Sequence, residues 1–382
     1  MVEPFTAPVV SSLSVRVVVD SVFDQFMPKA THPMCTIEHI GRIRTNLNST
    51  LAGEWGLSLH LESRAGSATA QYLLDFGYSP EILVRNFDLL GIEPERLNGL
   101  IHGHRDHYGG LPGFVTRYRN RMRDDLRLFV GGKETFREKW VGSRDEEPTS
   151  WGALDRAALE AGNVETVCCD SAHALDGPFT TGNIARPSFE RVLPNTFVEP
   201  TPTDHFTEDE RRGRLVPDRH PDEHGTCYVV QGRGLVVISS CSHCGVINAI
   251  RQAMQMSGVD KLHAVLGGFH LGAAPADYVE RTIAELKTMR PDVLIPMHCT
   301  GHNFIARMRS EMPERLVDWN TGSRFTFGFE MTSPPPTWIG GSTVGAVGPA
   351  WRAWRPIADP HPLATGGLVD AIIPRFGSGE GK

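Results

Sequence analysis

The spacing of apolar residues over the first hundred positions predicts strand, strand, strand, helix, strand. Val15-Arg16-Val17-Val18-Val19 is a β-branched run of the kind that forms a strand. Residues 57–62 and Tyr72-Leu73-Leu74-Asp75 read as two more strands, joined by a turn over 63–67. From 82 to 90 the period lengthens to that of a helix, with Leu83, Phe87 and Leu90 on one face. Gly91 is a natural stop for it, and Pro94 follows shortly after. Gly99-Leu100-Ile101 is then a short apolar run that opens directly onto His102-Gly103-His104-Arg105-Asp106-His107. The polar cluster therefore lies just past the carboxyl end of a strand, where α/β sheets hold their ligands.

The second half repeats this grammar. Residues 235–238 form an apolar strand ending in Ser239-Ser240-Cys241-Ser242-His243, and 246–256 have helical spacing. Residues 262–266 form a strand ending at Gly267-Gly268-Phe269-His270, and 278–289 are helical. Val293-Leu294-Ile295 ends at Pro296-Met297-His298. Three successive strand ends thus deliver a histidine, which a random scatter of 16 His would rarely do. The middle, 117–224, is less regular and reads as insertions and loops, with one strand over 126–130. Beyond Phe329 the chain turns Pro-, Gly- and Trp-rich and reads as an extended tail. Trp351 and Trp354 are expected to pack that tail onto the body.

Composition changes this picture little. Of 382 residues, 40% are hydrophobic and 22% charged, enough apolar material for a large core. A net charge of −7 argues against a nucleic-acid-binding surface. No run of 18 apolar residues suggests a membrane span. Seven scattered cysteines do not read as a disulfide framework, so reduced thiols in a cytoplasmic protein are expected. The small-molecule class of substrate is left, with a homodimer as the expected assembly.

The cluster has the pattern H-x-H-x-D-H. Two histidines one residue apart converge on one cation, and the following Asp-His pair turns toward a second. Imidazole and carboxylate suit zinc, iron and manganese. The competing reading is a His-rich solvent loop. The motif resembles the signature of the metallo-β-lactamase superfamily. That resemblance implies an αββα four-layer sandwich of the α/β class over 1–330, with insertions around 117–224 and a separate tail, 331–382. It also implies that Asp75, in Leu73-Leu74-Asp75-Phe76-Gly77, orients the His-rich loop. A narrower resemblance covers most of 15–329. It is to the branch of 7,8-dihydropterin-6-methyl-4-(β-D-ribofuranosyl)aminobenzene-5′-phosphate synthase-like proteins. Glu54-Trp55-Gly56-Leu57-Ser58, Thr180-Thr181-Gly182-Asn183-Ile184, Cys241-Ser242-His243, Gly267-Gly268-Phe269-His270-Leu271 and Pro296-Met297-His298-Cys299-Thr300-Gly301 carry it. Cys244 before Gly245, and Ala185 in Asn183-Ile184-Ala185-Arg186, depart from the branch pattern. The resemblance implies that the 183–186 loop faces the site, so that a different substrate choice is expected from its departure.

The ligand set read this way is His102, His104 and His243 on one divalent ion, and Asp106, His107 and His298 on a second, with zinc ahead of iron or manganese. Asp106 also steers the nucleophile's proton, and His270 is read as a ligand or, the favoured reading, a substrate-facing acid. The superfamily's bridging Asp is missing near Cys241, which is a thiolate ligand or, the favoured reading, a buried small residue. His224 is an alternative ligand or, the favoured reading, a solvated loop residue, and His220 and His302 are read as lying outside the ligand set. The expected reaction is hydrolysis of an ester, phosphoester or lactone by a hydroxide shared between two metals. A pterin-directed transferase is the alternative implied by the branch, with Arg105 and Arg186 as candidate phosphate partners. A non-catalytic ligand-binding protein on the same scaffold is the third reading.

Overall fold

The computed structural model describes residues 5–40, 48–103, 107–142, 147–193, 195–201 and 206–328. His104, Arg105 and Asp106, and the tail with Trp351 and Trp354, lie outside the described residues.

Alternation along each strand sends side chains to opposite faces of its sheet. Leu13, Val15 and Val17 of strand Ser12–Val19 face inward, with Leu59, Leu61, Tyr72, Leu74, Ile101 and Phe129 of neighbouring strands. They meet Tyr228, Val230, Val236, Ile238, Ala264, Leu266, Val293 and Ile295 from a second sheet. The residues between them point outward. Leu73, Leu100, Leu128 and Val130 pack on Leu83, Phe87, Leu111 and Phe114 of helices Pro80–Leu89 and Leu111–Tyr118. On the other side Leu235, Val237, Val265 and Leu294 pack on Ile247, Ile250, Val279, Ile283 and Phe304. Those belong to helices Val246–Ser257, Ala276–Met289 and His302–Glu311. Two sheets face to face, each backed by helices, make the α/β class four-layered, in the order αββα.

The first sheet runs Glu165–Cys168, Arg127–Val130, Gly99–His102, Ala68–Leu74, Ser58–Ala65, Ser12–Val19, Arg324–Gly328, Thr36–Glu38. Its first four strands are parallel and the rest antiparallel. The second runs Ser171–Ala174, Phe179–Gly182, Thr226–Val230, Gly234–Ser239, Leu262–Gly268, Val293–Met297, its last three strands parallel, with Val9–Val10 on Thr226–Val230.

Two sequence expectations are corrected. The turn placed over 63–67 is shorter: Ser63, Arg64 and Ala65 continue the strand, Ala65 pairs with Ala68, and Gly66 takes φ +60° in a two-residue hairpin loop. The middle is more than loops. It holds strands of both sheets and a separate four-stranded sheet, Val216–Pro217, Thr196–Val198, Lys139–Val141, Thr149–Gly152. Its strands are two to four residues long, too short for a periodic signal. Among the described residues, no helix is long and apolar enough to cross a membrane.

Candidate metal centre

The parallel strands of both sheets end on the same chemistry. Ala68–Leu74 ends at Asp75 and Gly99–His102 at His102-Gly103. Gly234–Ser239 leads to Cys241 and His243, Leu262–Gly268 to His270, and Val293–Met297 to His298. Leaving a strand this abruptly strains the backbone. Asp75, Ser242, His270 and His298 take φ of 59°, 60°, 49° and 48°, and His220 takes 47°. Left-handed backbone costs a non-glycine residue roughly 1–3 kcal/mol and persists where its surroundings enforce it. Here they do. The Asp75 N–H donates to the Ile101 carbonyl at 2.8 Å, and the Phe76 N–H to the His107 carbonyl at 2.6 Å. Glu223 accepts the N–H groups of His243 and Cys244 at 2.7 and 2.6 Å. Gly103 permits the two sheets to close: a Cβ there would lie 1.9 Å from Ser240 Oγ.

Asp75 is fully buried and organises one half of the site. Its Oδ1 accepts from His102 Nδ1 at 3.1 Å and the Gly103 N–H at 2.8 Å, and its Oδ2 accepts from His107 Nδ1 at 3.0 Å. Burial pushes this carboxyl up, but His107 and His102 outweigh it and hold it well below the usual carboxylate range. A carboxylate there keeps the proton on Nδ1 of both rings, which leaves each Nε2 lone pair for a ligand.

His107 Nε2 and His298 Nε2 approach to 2.9 Å. With Cys241 Sγ they form one group whose donor atoms all lie within 4.8 Å of one another. A second such group comprises Cys241, His243 and His270. Nitrogen, nitrogen and sulfur at this separation is a donor set that fits zinc or iron. The two groups share one thiol.

Around these donors lies a second layer. The ring of His220 stacks on His243 with centroids 4.0 Å apart, and His243 lies 3.8 Å from His270. Asp20 Oδ2 accepts the His298 N–H at 3.2 Å and the indole N–H of Trp319. Trp55, half exposed, forms a wall with its ring centroid 4.6 Å from that of His298. Cys299 lies 3.1 Å from Cys241, sulfur to sulfur.

Among the sequence candidates, the structure brings His107, His243, His270 and His298 around Cys241. His102 is held on Asp75 and, among the described residues, lies in neither donor group. His270, read as an acid ahead of a ligand, has its Nδ1 3.6 Å from Cys241 Sγ and falls within the second donor group. Cys241 is buried, as a small core residue would be, yet its sulfur faces four imidazoles. His224 is corrected: it is only 2% exposed, and its Nε2–H donates to the His102 carbonyl at 2.8 Å. Burial holds its ring below the usual histidine range. His220 stands behind His243, and His302 is exposed at a helix start. Sequence reading missed Asp20, Glu223 and Cys299. Asp20 had a signal, since it closes the apolar run Val17-Val18-Val19 as Asp75 closes Leu73-Leu74.

No family model matches the chain. The 7,8-dihydropterin-6-methyl-4-(β-D-ribofuranosyl)-aminobenzene-5′-phosphate synthase of Methanocaldococcus jannaschii is 28% identical over 286 residues, 73% of this chain and 92% of that protein. An uncharacterized protein of the same organism is 24% identical over 244 residues, 62% of this chain and 81% of its own length. Among solved structures, a metal-dependent hydrolase of the β-lactamase superfamily superposes with a TM-score of 0.59 at 21% identity, covering 82% of this chain and 98% of its own. The fold is the one seen in that metal-dependent hydrolase, and the chain is similar in sequence to the dihydropterin synthase.

Proposed function

We propose that this chain is a metal-dependent hydrolase of small-molecule esters, phosphoesters or lactones, with two divalent ions, zinc foremost, at the strand ends. The carrying observation is the pair of three-donor groups that share Cys241. His107, His298 and Cys241 would hold one ion, and His243, His270 and Cys241 the other, with His104 and Asp106 contributing on the evidence of the motif alone. An ion held there supplies Lewis-acid polarisation of a substrate oxygen and lowers the pKa of water from about 15.7 toward about 7. The protein's own part is positional. Asp75 keeps the proton on Nδ1 of His107 and His102, Asp20 fixes the His298 backbone, and Glu223 fixes that of His243. Trp55 shields the His298 side from water and offers a flat apolar surface to a substrate.

The test is turnover of an aryl phosphodiester, ester and lactone panel by zinc-loaded protein, with the chelated protein as control. Metal-dependent turnover supports the reading. A fully loaded, folded protein that cleaves none of the panel overturns it.

The 28% identity across 92% of the dihydropterin synthase favours a second reading, a pterin-directed transferase that releases pyrophosphate. Arg186 is its candidate phosphate partner within the described residues, its guanidinium donating to the Arg219 carbonyl. Incubation with a dihydropterin pyrophosphate and a phosphoribosyl aniline separates the two, because only the transferase releases pyrophosphate.

A further inference from the structure

We propose that Cys241 and Cys299 are an oxidative modification site: hydrogen peroxide converts this dithiol to an intramolecular disulfide that takes Cys241 away from the histidines. The two cysteines follow strands Gly234–Ser239 and Val293–Met297, which are not neighbours, since Leu262–Gly268 runs between them. At a strand spacing of about 4.8 Å the flanking strands lie roughly 10 Å apart. The thiols nevertheless meet at 3.1 Å, about 1 Å beyond a bonded S–S distance of ~2.05 Å. They meet over a glycine. A Cβ on Gly268 would lie 2.9 Å from Cys299 Sγ and 3.2 Å from the Cys241 Cα, so the intervening strand presents no side chain at the crossing. The Cys299 thiol donates toward the Cys241 carbonyl at 3.4 Å, and the His270 N–H donates to Cys299 Sγ at 3.3 Å. The Cys299 sulfur is thus already held against the Cys241 backbone.

Cys299 is 8% exposed against 1% for Cys241, and so takes the oxygen first. Its sulfur attacks one peroxide oxygen, the O–O bond breaks, and a sulfenic acid and water form. The Cys241 sulfur then attacks the sulfenic sulfur. The S–S bond forms, the S–O bond breaks, and the leaving hydroxide takes the thiol proton as a second water. Two thiols are oxidised by two electrons and one peroxide is reduced to two waters. A disulfide sulfur no longer carries the thiolate charge, so both donor groups lose their common member. That last consequence rests on the proposed metal centre, whereas the disulfide itself does not.

The full-length, chelator-stripped protein is treated with hydrogen peroxide, its remaining thiols alkylated, and its peptides mapped without reduction. The expected result is loss of two of the seven thiols, one cross-link between the Cys241 and Cys299 peptides, and reversal by dithiothreitol. Cys244→Ser should keep the cross-link and Cys299→Ser should abolish it. Recovery of both cysteines unlinked from the peroxide-treated wild type, or as separate sulfinic acids, overturns the proposal even if the variants fail to fold. Zinc-loaded protein should resist cross-linking, and the cross-linked protein should lose zinc binding. Equal cross-linking with and without zinc would leave the disulfide standing and sink Cys241 as a ligand.

Discussion

Replacing Asp75 by Asn should disable metal binding at His107 while leaving the fold in place. The side chain keeps its volume, so no cavity opens at this fully buried position. What changes is the number of acceptors. Asp75 accepts from three donors: two on Oδ1, His102 and Gly103, and one, His107, on Oδ2. An amide has one oxygen, and it goes to the side with two donors. Its NH2 group then faces His107 Nδ1, where a donor meets a donor. The cheapest relief is for the imidazole to move its proton to Nε2, the atom 2.9 Å from His298 Nε2. A protonated Nε2 cannot ligate. Loss of such an orienting partner costs about 10–100-fold in metal affinity, which is about 1.4–2.8 kcal/mol at 1.4 kcal/mol per tenfold. A lost hydrogen bond to a charged group, at about 1.5–3 kcal/mol, gives the same range independently. The assay is zinc competition against a chromophoric chelator, with circular dichroism to verify folding. An Asp75→Asn protein that is folded and binds zinc as tightly as the wild type would refute the tautomer argument.

Four further outcomes follow from the structure. Lys139, 1% exposed, lies 2.7 Å from Asp218 and 3.4 Å from Asp222, so Lys139→Ala should cost about 3–5 kcal/mol in urea unfolding by taking the ammonium from the buried Asp218 carboxylate. Burial pushes Asp218 up, but His220 and Lys139 hold it well below the carboxylate range; its stabilising contribution is therefore complete above pH ~4 and lost only as pH falls through still lower values. Gly103→Ala should lower the melting temperature because its Cβ meets Ser240, and Ser240→Gly in the same chain should recover part of the loss. Zinc at 100 times its Kd should raise unfolding free energy by about 2.7 kcal/mol, and a chelator should remove that gain; a melting temperature indifferent to both would count against a metal centre.

The layers were legible because period-2 and period-3.6 patterns are local. Each of the strands 15–19, 235–238 and 293–295, and each of the helices 82–90, 246–256 and 278–289, is found where its spacing put it, within a few residues at the ends. The small sheet containing Lys139–Val141 was not legible, since two to four residues carry no period and its central pairing joins Val141 to the distant Thr196. At the site, the sequence named the histidines and, through the resemblance, Asp75, but not Asp20 or Glu223. That His270 stands beside Cys241, and that Asp20 supports His298 from 278 residues away, are consequences of sheet order rather than of spacing. His224 was misjudged for the same reason. Its neighbours Asp222 and Glu223 suggest a solvated loop, yet the chain there is folded under the His102 carbonyl.

The strained backbone connects these observations. Five of the seven non-glycine residues with left-handed φ among the described residues are Asp75, His220, Ser242, His270 and His298. At roughly 1–3 kcal/mol each, their combined cost is of the order of a whole domain's net stability of about 5–15 kcal/mol. Such a cost survives only where the two packed sheets and the carboxylates of Asp20, Asp75 and Glu223 leave the loops no alternative path. The strain buys direction: each residue turns sharply off its strand end, so that rings from different strands converge instead of continuing along their sheets. The point on which they converge is a sulfur. A thiolate shared between two nitrogen pairs favours zinc or iron over magnesium or calcium, which prefer oxygen donors. The metal chosen in a competition between zinc and magnesium therefore reads out whether Cys241 ligates. Cys241→Asp, which puts oxygen at the shared position, should shift that choice toward the harder ion, and an unchanged preference would mean that the nitrogen donors alone set it.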